Sequence, residues 1–485
     1  MSDLNVKTMS ERNSQNVLKA GAIGSFGVAA LGSVMMAPAL GIYANLGLIS
    51  AESGKTGPLV FLLALLLTMP TAFSYALITR EIPSAGSAYT WLSEAINPFV
   101  GFWMGVLLLE TYLFCVILQP IVFGVFFNEL LTTLFHWQMT YATSTAGVLV
   151  STVIVASVAY PGIQISAKAA MVVAVIEVVV VLALSGTIMA ILVAHGRVTA
   201  APFLPSEALH GSRGLFQGLV FGLLSFVGFG VITTAAEETH SPRSVIPRVM
   251  VIACVFLGIY WALTSWSLCL AFPAEAWETY VVKGTNPVAV MARQYWHGGA
   301  IVVIVTAITA ALGVYLASVV GYARIAYAMG RDGTLPAFFG RLHPRFKVPW
   351  AAQHFGFVIT LGVAALWCHW LGIYLSYDWW GTVLVFFAMV SNIFVNIGCM
   401  VFFYRFRRPI FHWFWHVLLP ILGIVTSIFP LYYSFGVGLW REGWQRGQSI
   451  IAFCLLVVVL STLYTFILGA VRPQALRRTS ATISQ

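Results

Sequence analysis

The chain reads AIVVIVTAITAALGVYLASVVGYARIAYAM over residues 300–329 and continues as Gly330-Arg331-Asp332-Gly333-Thr334-Leu335-Pro336. The first stretch carries a single charge, Arg324, and is longer than the roughly 20 apolar residues that cross a bilayer as a helix. The second stretch brings charges, glycines and a proline together, and Arg341 and Arg345 follow it. This pattern predicts a transmembrane helix that leaves the bilayer into a basic loop.

The composition of the whole chain agrees with this local pattern. Of its 485 residues, 60% are hydrophobic and 8% are charged, whereas a soluble protein carries about 25% charged residues. The apolar runs are continuous, which argues against the strands of about ten alternating residues that build a membrane β-barrel. The sequence therefore predicts an all-α polytopic membrane protein.

Twelve membrane spans can be drawn between the charged clusters of the chain. The spans cover residues 21–48, 57–78, 98–127, 141–160, 169–194, 214–236, 248–272, 299–329, 350–373, 379–403, 411–437 and 448–470. Residues 1–20 and 473–485 are polar tails around a membrane-spanning domain of residues 21–472.

The loop charges predict the orientation of the chain in the membrane. With the N-terminus inside, seventeen Lys and Arg residues fall on the inner side and seven on the outer side. Basic residues concentrate in cytoplasmic loops of membrane proteins. We therefore expect a multi-pass protein of the cytoplasmic membrane with both termini in the cytoplasm.

Several other classes of protein are disfavoured by the sequence. The net charge of +9 is spread over short loops, where it sets topology rather than indicating a nucleic-acid partner. The sequence contains no Walker-type nucleotide loop and no cluster of metal ligands or nucleophiles. We therefore expect no cofactor, no metal and no enzymatic activity; the oligomeric state stays open.

Two spans contain helix-breaking residues at comparable places. The first span holds Gly32-Ser33-Val34-Met35-Met36-Ala37-Pro38, and the sixth holds Ser225-Phe226-Val227-Gly228-Phe229-Gly230. Glycines also serve helix packing in membranes, but interrupted spans five apart are typical of an inverted repeat of five plus five helices with its binding site at the breaks.

Broken helices expose backbone groups in the middle of the membrane, where they are tolerated only against a cavity or a ligand. A half-helix that begins near Ser33 would point N–H groups at a carboxylate. Carbonyl groups released near Leu224 to Val227 would suit an ammonium group. The two breaks together would hold an α-amino acid.

Four further motifs occur in order along the chain. They are Glu81-Ile82-Pro83-Ser84-Ala85-Gly86-Ser87-Ala88-Tyr89, Asn97-Pro98-x-Val100-Gly101, Glu237-Glu238-Thr239 with Pro242 and Ile246-Pro247, and Arg324-x-x-Tyr327-x-Met329-Gly330-Arg331-Asp332-Gly333. This ordered set resembles permeases of the amino acid–polyamine–organocation (APC) superfamily over roughly residues 20–350. The resemblance implies a LeuT-like fold with a 5+5 inverted repeat plus two C-terminal helices, and secondary transport by alternating access. Residues 21–472 would then be the transporter domain, with repeat one at about 21–195, repeat two at about 214–403 and the two further helices at about 411–470.

The chain departs from that family at both breaks. Many relatives have Gly-Ser-Gly or Gly-Thr-Gly in the first break, where this chain has Val34 as the third residue. Many also have aspartate in the sixth span, where this chain has Gly230. The missing acid weakens the case for a strongly cationic substrate.

Two of the sixteen acidic residues, Glu110 and Glu177, fall well inside predicted spans. A carboxyl group in hydrocarbon is costly and marks a functional candidate. A protonated glutamate that bonds a backbone carbonyl and holds helices together is the structural alternative for each. By resemblance, Glu177 lies where proton-coupled relatives often have lysine, and Glu110 lies near the substrate site. We expect both as candidates for proton coupling.

The sequence thus predicts a secondary transporter that imports an amino acid, neutral rather than cationic, with proton symport. Its expected substrate-binding residues are Gly32, Ser33, Val34, Met35, Glu110, Thr111, Leu224, Ser225, Phe226, Val227 and Gly228. A polyamine or amine importer on the same fold and an obligate amino acid exchanger are the alternatives. A channel and an intramembrane enzyme are more distant alternatives.

Overall fold

The computed structural model describes residues 24, 27–28, 32, 36–84, 86–161, 163–272, 286–438, 440 and 447–473. These ranges are almost entirely helical and contain no β-strand. Eleven helical segments within them are long and apolar enough to cross a membrane. The first of these, Pro38–Glu81, holds two helices in succession. It corresponds to the second predicted span and the later part of the first.

The helices are numbered here in chain order. The first is α1, a continuous helix made of Pro38–Leu40, the π-helical turn Gly41–Asn45 and Leu46–Ser53. The next are α2 (Gly57–Glu81), α3 (Ala88–Ala95), α4 (Pro98–Phe135), α5 (Tyr141–Ala159), α6 (Ile163–Ala194), α7 (Gly211–Phe226), α8 (Val231–Thr234) and α9 (Pro242–Ala271). The last are α10 (Pro287–Trp296), α11 (Ala300–Arg331), α12 (Trp350–Leu371), α13 (Ile373–Phe406), α14 (Phe414–Leu418, Leu419–Leu431 and Tyr432–Gly438) and α15 (Ser449–Val471).

Prolines and side-chain caps set where several helices begin. Proline occupies an early position of α2, α4, α9 and α10, where its missing N–H costs no intrahelical hydrogen bond. Asn97 caps α4 by accepting from the N–H of Val100 at 2.9 Å. Asn286 caps α10 in the same way. These starts are encoded locally, in the order polar cap, proline, apolar run.

Helix packing follows the spacing of an inverted repeat. Helix α2 packs along α9, and α4 packs along α11; in both pairs the partners are five spans apart. The short helices α3 and α10, which the sequence did not predict, each follow the second span of a five-span unit. Such pairings are what an inverted repeat of five plus five helices would give.

The signature after residue 329 shapes the end of α11. The N–H groups of Thr334 and Leu335 both donate to the carbonyl of Met329, at 2.9 and 3.1 Å. A Cβ on Gly330 would lie 2.5 Å from the backbone nitrogen of Gly340, so only glycine lets the following loop pack this closely. Outside the membrane-spanning segment, burial raises the pKa of Asp332, and its Oδ2 accepts from the Tyr89 hydroxyl at 2.9 Å.

Candidate functional site

The sixth span is interrupted at the predicted place. Helix α7 ends at Phe226 and α8 begins at Val231. Val227 is extended, with φ −60° and ψ 129°, and Gly228 has φ +111°. A φ of that sign is strained for any residue with a side chain. Gly228 is therefore required for the chain to leave one half-helix and enter the next.

The interruption leaves backbone groups of both kinds without partners. The carbonyls of Leu223 and Leu224 accept from the N–H of Val227, at 3.2 and 3.1 Å. Within the predicted range of Leu224 to Val227, the Leu224 carbonyl is therefore not released. Within the described ranges, no donor reaches the carbonyls of Ser225 and Val227. The same part of the chain offers no acceptor to the N–H groups of Gly228 and Gly230.

The first span is interrupted just before Pro38. Ala37 has φ +47° and ψ +79°, and α1 starts at Pro38. The described part of the half-helix begins at Pro38, and the predicted start near Ser33 lies outside the described residues. Proline has no N–H and its ring clashes with the preceding turn of a continuing helix. Ser33, Val34 and Met35 lie outside the described residues.

Trp261 and Gly41 stabilise the start of α1. The indole Nε1 of Trp261 donates to the carbonyl of Pro38 at 2.8 Å. A Cβ on Gly41 would lie 2.4 Å from the same nitrogen. The absence of a side chain at this glycine lets the α9 tryptophan reach the backbone of the broken helix.

Glu177 on α6 lies at the N-terminal end of α1. Its side chain is buried, with 2% of its surface exposed, and its carboxyl group faces the backbone N–H of Ala39. The phenol groups of Tyr43 and Tyr260 are close enough to interact with it electrostatically. Thr306 on α11 donates to the Tyr43 hydroxyl at 3.3 Å. The carboxyl group on α6 therefore faces α1 and α9, and α11 hydrogen-bonds one of the two tyrosines.

Two small cavities flank the break of the sixth span. Cavity A, of about 50 Å³, lies between α2, α4, the α7–α8 break and α13. Cavity B, of about 40 Å³, lies between α1, α4, α7, α11 and α13. Cys115, Val227 and Leu384 line both cavities. Each volume suits one or two water molecules, so this conformation is closed and a solute needs the cavities to widen.

The predicted site residues divide into those near these cavities and those elsewhere. Thr111, Phe226, Val227 and Gly228 line cavity A, and Leu224, Ser225 and Val227 line cavity B. Gly32 is helical and lines neither cavity. A Cβ there would lie 2.3 Å from the Ile232 side chain, so this glycine serves helix packing.

Glu110 lies elsewhere, which corrects its expected place in the substrate site. It lines neither cavity. Its Oε1 instead accepts from the hydroxyl of Ser461 on α15 at 2.5 Å. The side chain points to α15, a C-terminal helix, whereas the neighbouring Thr111 lines cavity A.

Comparison with known proteins identifies the family. The family model described as "Amino acid permease" matches residues 23–470. The chain belongs to the amino acid permease family. This permease is a membrane transporter of the APC superfamily and not an enzyme.

Three relatives illustrate the range of the family. The permease is 26% identical to the low-affinity putrescine importer PlaP of Escherichia coli (strain K12), over 82% of this chain and 85% of the importer. It is 24% identical to the branched-chain amino acid permease BcaP of Bacillus subtilis (strain 168), over 69% of this chain and 72% of that one. It is 23% identical to the methylthioribose transporter of the same organism, over 67% and 70%.

A polar network that the sequence reasoning missed closes cavity B of the permease. The amide Nδ2 of Asn45 on α1 donates to Ser225 Oγ at 2.7 Å. The hydroxyl of Tyr377 on α13 donates to Asn45 Oδ1. Asn45 is 6% exposed. A buried amide in an apolar span was the available signal, because such groups need partners within the protein.

Other polar groups face the cavities from helices that sequence reasoning did not consider. Gln119 lines cavity B, and its Oε1 is buried with no hydrogen-bond partner among the described residues. Ser391 Oγ, which lines cavity A, is likewise buried with no hydrogen-bond partner among the described residues. No Asp or Glu side chain occurs among the residues described as lining either cavity.

One further acid was missed because the tenth span was drawn too short. Asp378 is 2% exposed within α13, which starts at Ile373 rather than at residue 379. Gly372, with φ +76°, separates α12 from α13. Asp378 does not line either cavity.

Proposed function

We propose that this permease imports a neutral α-amino acid together with a proton, by alternating access across the cytoplasmic membrane. The observation that carries the proposal is the interrupted sixth span. It offers unpartnered N–H and C=O groups beside two cavities. In the hydrocarbon interior such groups persist only where a solute or water can bind them.

The two poles of an amino acid match these groups. The carbonyls of Ser225 and Val227 and the Oε1 of Gln119 are acceptors that suit an ammonium group. The N–H groups of Gly228 and Gly230 are donors that suit a carboxylate, as oriented backbone donors do in other anion sites. A zwitterion satisfies both sets and adds no net charge to the membrane interior.

The absence of a carboxylate from the described cavity walls favours a neutral substrate over a diamine. A cation in low dielectric needs a compensating negative charge, and the described lining residues provide none. The apolar walls contributed by Leu108, Val122, Leu224 and Leu384 suit a small apolar side chain. Import of putrescine, the activity named for the relative PlaP, is the second candidate.

Glu177 is the residue through which we propose that protons act. A carboxylate facing Ala39 is attracted by the positive N-terminal end of α1. Protonation removes that attraction and loosens the contact between α6 and the broken first span. Movement of α1 would then depend on proton binding, which is the requirement for symport.

Ligand-induced thermal stabilisation of the purified permease tests the choice of substrate. A ligand that binds the native state raises the unfolding temperature by mass action. We expect branched-chain or other neutral amino acids to raise it and putrescine to have no effect. Stabilisation by putrescine alone would establish the amine importer instead.

Uptake into empty proteoliposomes separates symport from obligate exchange. We expect an inward proton gradient to drive accumulation of the amino acid without any internal substrate. Uptake that requires preloaded amino acid and ignores the gradient would establish an exchanger.

A further inference from the structure

A large groove lies at one end of the helix bundle, away from both cavities. Its volume is about 840 Å³. Its walls are the last turns of α2, the first turns of α9, and the connection from α13 into α14. It shares no lining residue with cavity A or cavity B. The loop charges place this end on the cytoplasmic side.

The rim of the groove is strongly basic. Arg80, Arg243 and Arg248 line it and are exposed. Across the described ranges, none of these three guanidinium groups has a salt bridge or a hydrogen bond to another residue. Among the described lining residues the groove has one carboxylate, Glu81. It is paired with Arg407, whose Nε lies 2.6 Å from Glu81 Oε2. The rim therefore presents unbalanced positive charge.

The wall below the rim is apolar and faces the lipid. Phe73 and Leu77 of α2 lie opposite Trp415 of α14. Ile252 of α9 is 66% exposed and Trp415 is 41% exposed. The groove thus combines a basic mouth with an apolar floor, in helices that cross the bilayer.

We propose that this groove binds one anionic phospholipid of the cytoplasmic leaflet, such as phosphatidylglycerol. The arginines would bind the phosphate, since guanidinium groups pair with phosphate oxygens through two parallel hydrogen bonds. The apolar wall would cover the start of the acyl chains. Basic pockets between transmembrane helices on the cytoplasmic side are recognition sites for anionic lipid headgroups.

A free phosphate or a soluble anion fits the groove less well. The three arginines would balance the charge of a small anion. That anion would leave the apolar wall and most of the volume of about 840 Å³ uncovered. A zwitterionic lipid covers the wall but brings a cation to a basic rim. An anionic phospholipid matches both parts.

Native mass spectrometry of the full-length permease tests this site. The first bound lipid is titrated with phosphatidylglycerol and with phosphatidylcholine of the same chains, and sn-glycerol 3-phosphate is added as a soluble competitor. Two variants are compared with the unmodified protein. R243Q/R248Q removes two rim charges, and R341Q/R345Q removes two exposed charges outside the groove.

We expect tighter binding of phosphatidylglycerol than of phosphatidylcholine. Each basic residue close to an anionic lipid strengthens the binding of that lipid. The loss of two such residues in R243Q/R248Q should therefore weaken phosphatidylglycerol binding by about thirty-fold. R341Q/R345Q should leave it within about two-fold of the unmodified protein, and glycerol phosphate should not compete. The proposal is overturned if both lipids bind equally, if R243Q/R248Q changes nothing, if both variants weaken binding alike, or if glycerol phosphate displaces the lipid.

Discussion

Replacing Glu177 by glutamine should uncouple transport from the proton gradient. The variant keeps a side chain of the same size facing the N–H of Ala39, but its charge no longer changes with pH. A charge beside the end of a helix contributes up to about 2 kcal/mol in partly buried geometries. Every 1.4 kcal/mol is a factor of about ten. Protonation of Glu177 should therefore shift the balance between the two positions of α1 by up to roughly thirty-fold, and E177Q should lose that shift.

The assay is uptake of labelled amino acid into proteoliposomes, measured with and without an inward proton gradient. In the unmodified permease the gradient should drive accumulation. In E177Q the two conditions should give the same uptake, while exchange against internal substrate continues. E110Q is the matched control, because Glu110 contacts Ser461 and lines neither cavity. Gradient-driven accumulation that survives in E177Q and disappears in E110Q would refute the reasoning.

Four other substitutions test separate parts of the account. G228A forces a side chain into φ +111°, which should cost about 1–3 kcal/mol and lower both unfolding temperature and uptake. N45A leaves Ser225 without its donor from α1 and should lower stability by about 1–3 kcal/mol, measured by thermal unfolding. Q119L removes a buried acceptor and should raise the KM for amino acid, with the unfolding temperature unchanged. D332N should raise the unfolding temperature more at about pH 7 than at about pH 4. Because the pKa of Asp332 is raised in the folded protein, ionisation of this carboxyl group lowers the stability of the fold as the pH rises, and asparagine does not ionise.

Each of these outcomes has a contrary result. Normal uptake in G228A would mean that the bend at this glycine is dispensable. An unchanged unfolding temperature in N45A would show that the contacts of Asn45 with Ser225 and Tyr377 do not stabilise the closed conformation. An unchanged KM in Q119L would move the ammonium site elsewhere. A D332N effect that is the same at both pH values would show that desolvation of this carboxyl group is not what limits stability.

The helical architecture was predictable because it follows from a simple physical rule. Apolar runs of this length must satisfy their backbone groups internally in lipid, so span number and order follow from hydropathy. The second break was also predictable, because Gly228 and Gly230 lie close together in the span that corresponds to the interrupted first span. The start of α1 at Pro38 agrees with the preference of proline for the first turn of a helix, and the predicted start near Ser33 lies outside the described residues.

Side-chain direction was the part that the sequence could not give. Glu110 and Thr111 are neighbours, yet one faces α15 and the other faces cavity A. That difference depends on the rotation of α4 about its axis, which is set by packing in three dimensions. The contact between Asn45 and Tyr377 joins residues more than three hundred positions apart. No local pattern reports such a contact.

A cryo-EM structure of the permease with its transported amino acid, in lipid nanodiscs, tests the central claim most directly. We expect density for the ligand between the carbonyls of Ser225 and Val227, the N–H of Gly228 and the amide of Gln119, in a cavity wider than that of the closed form. Ligand density away from residues 225–230, or an unbroken helix through them, would contradict the account.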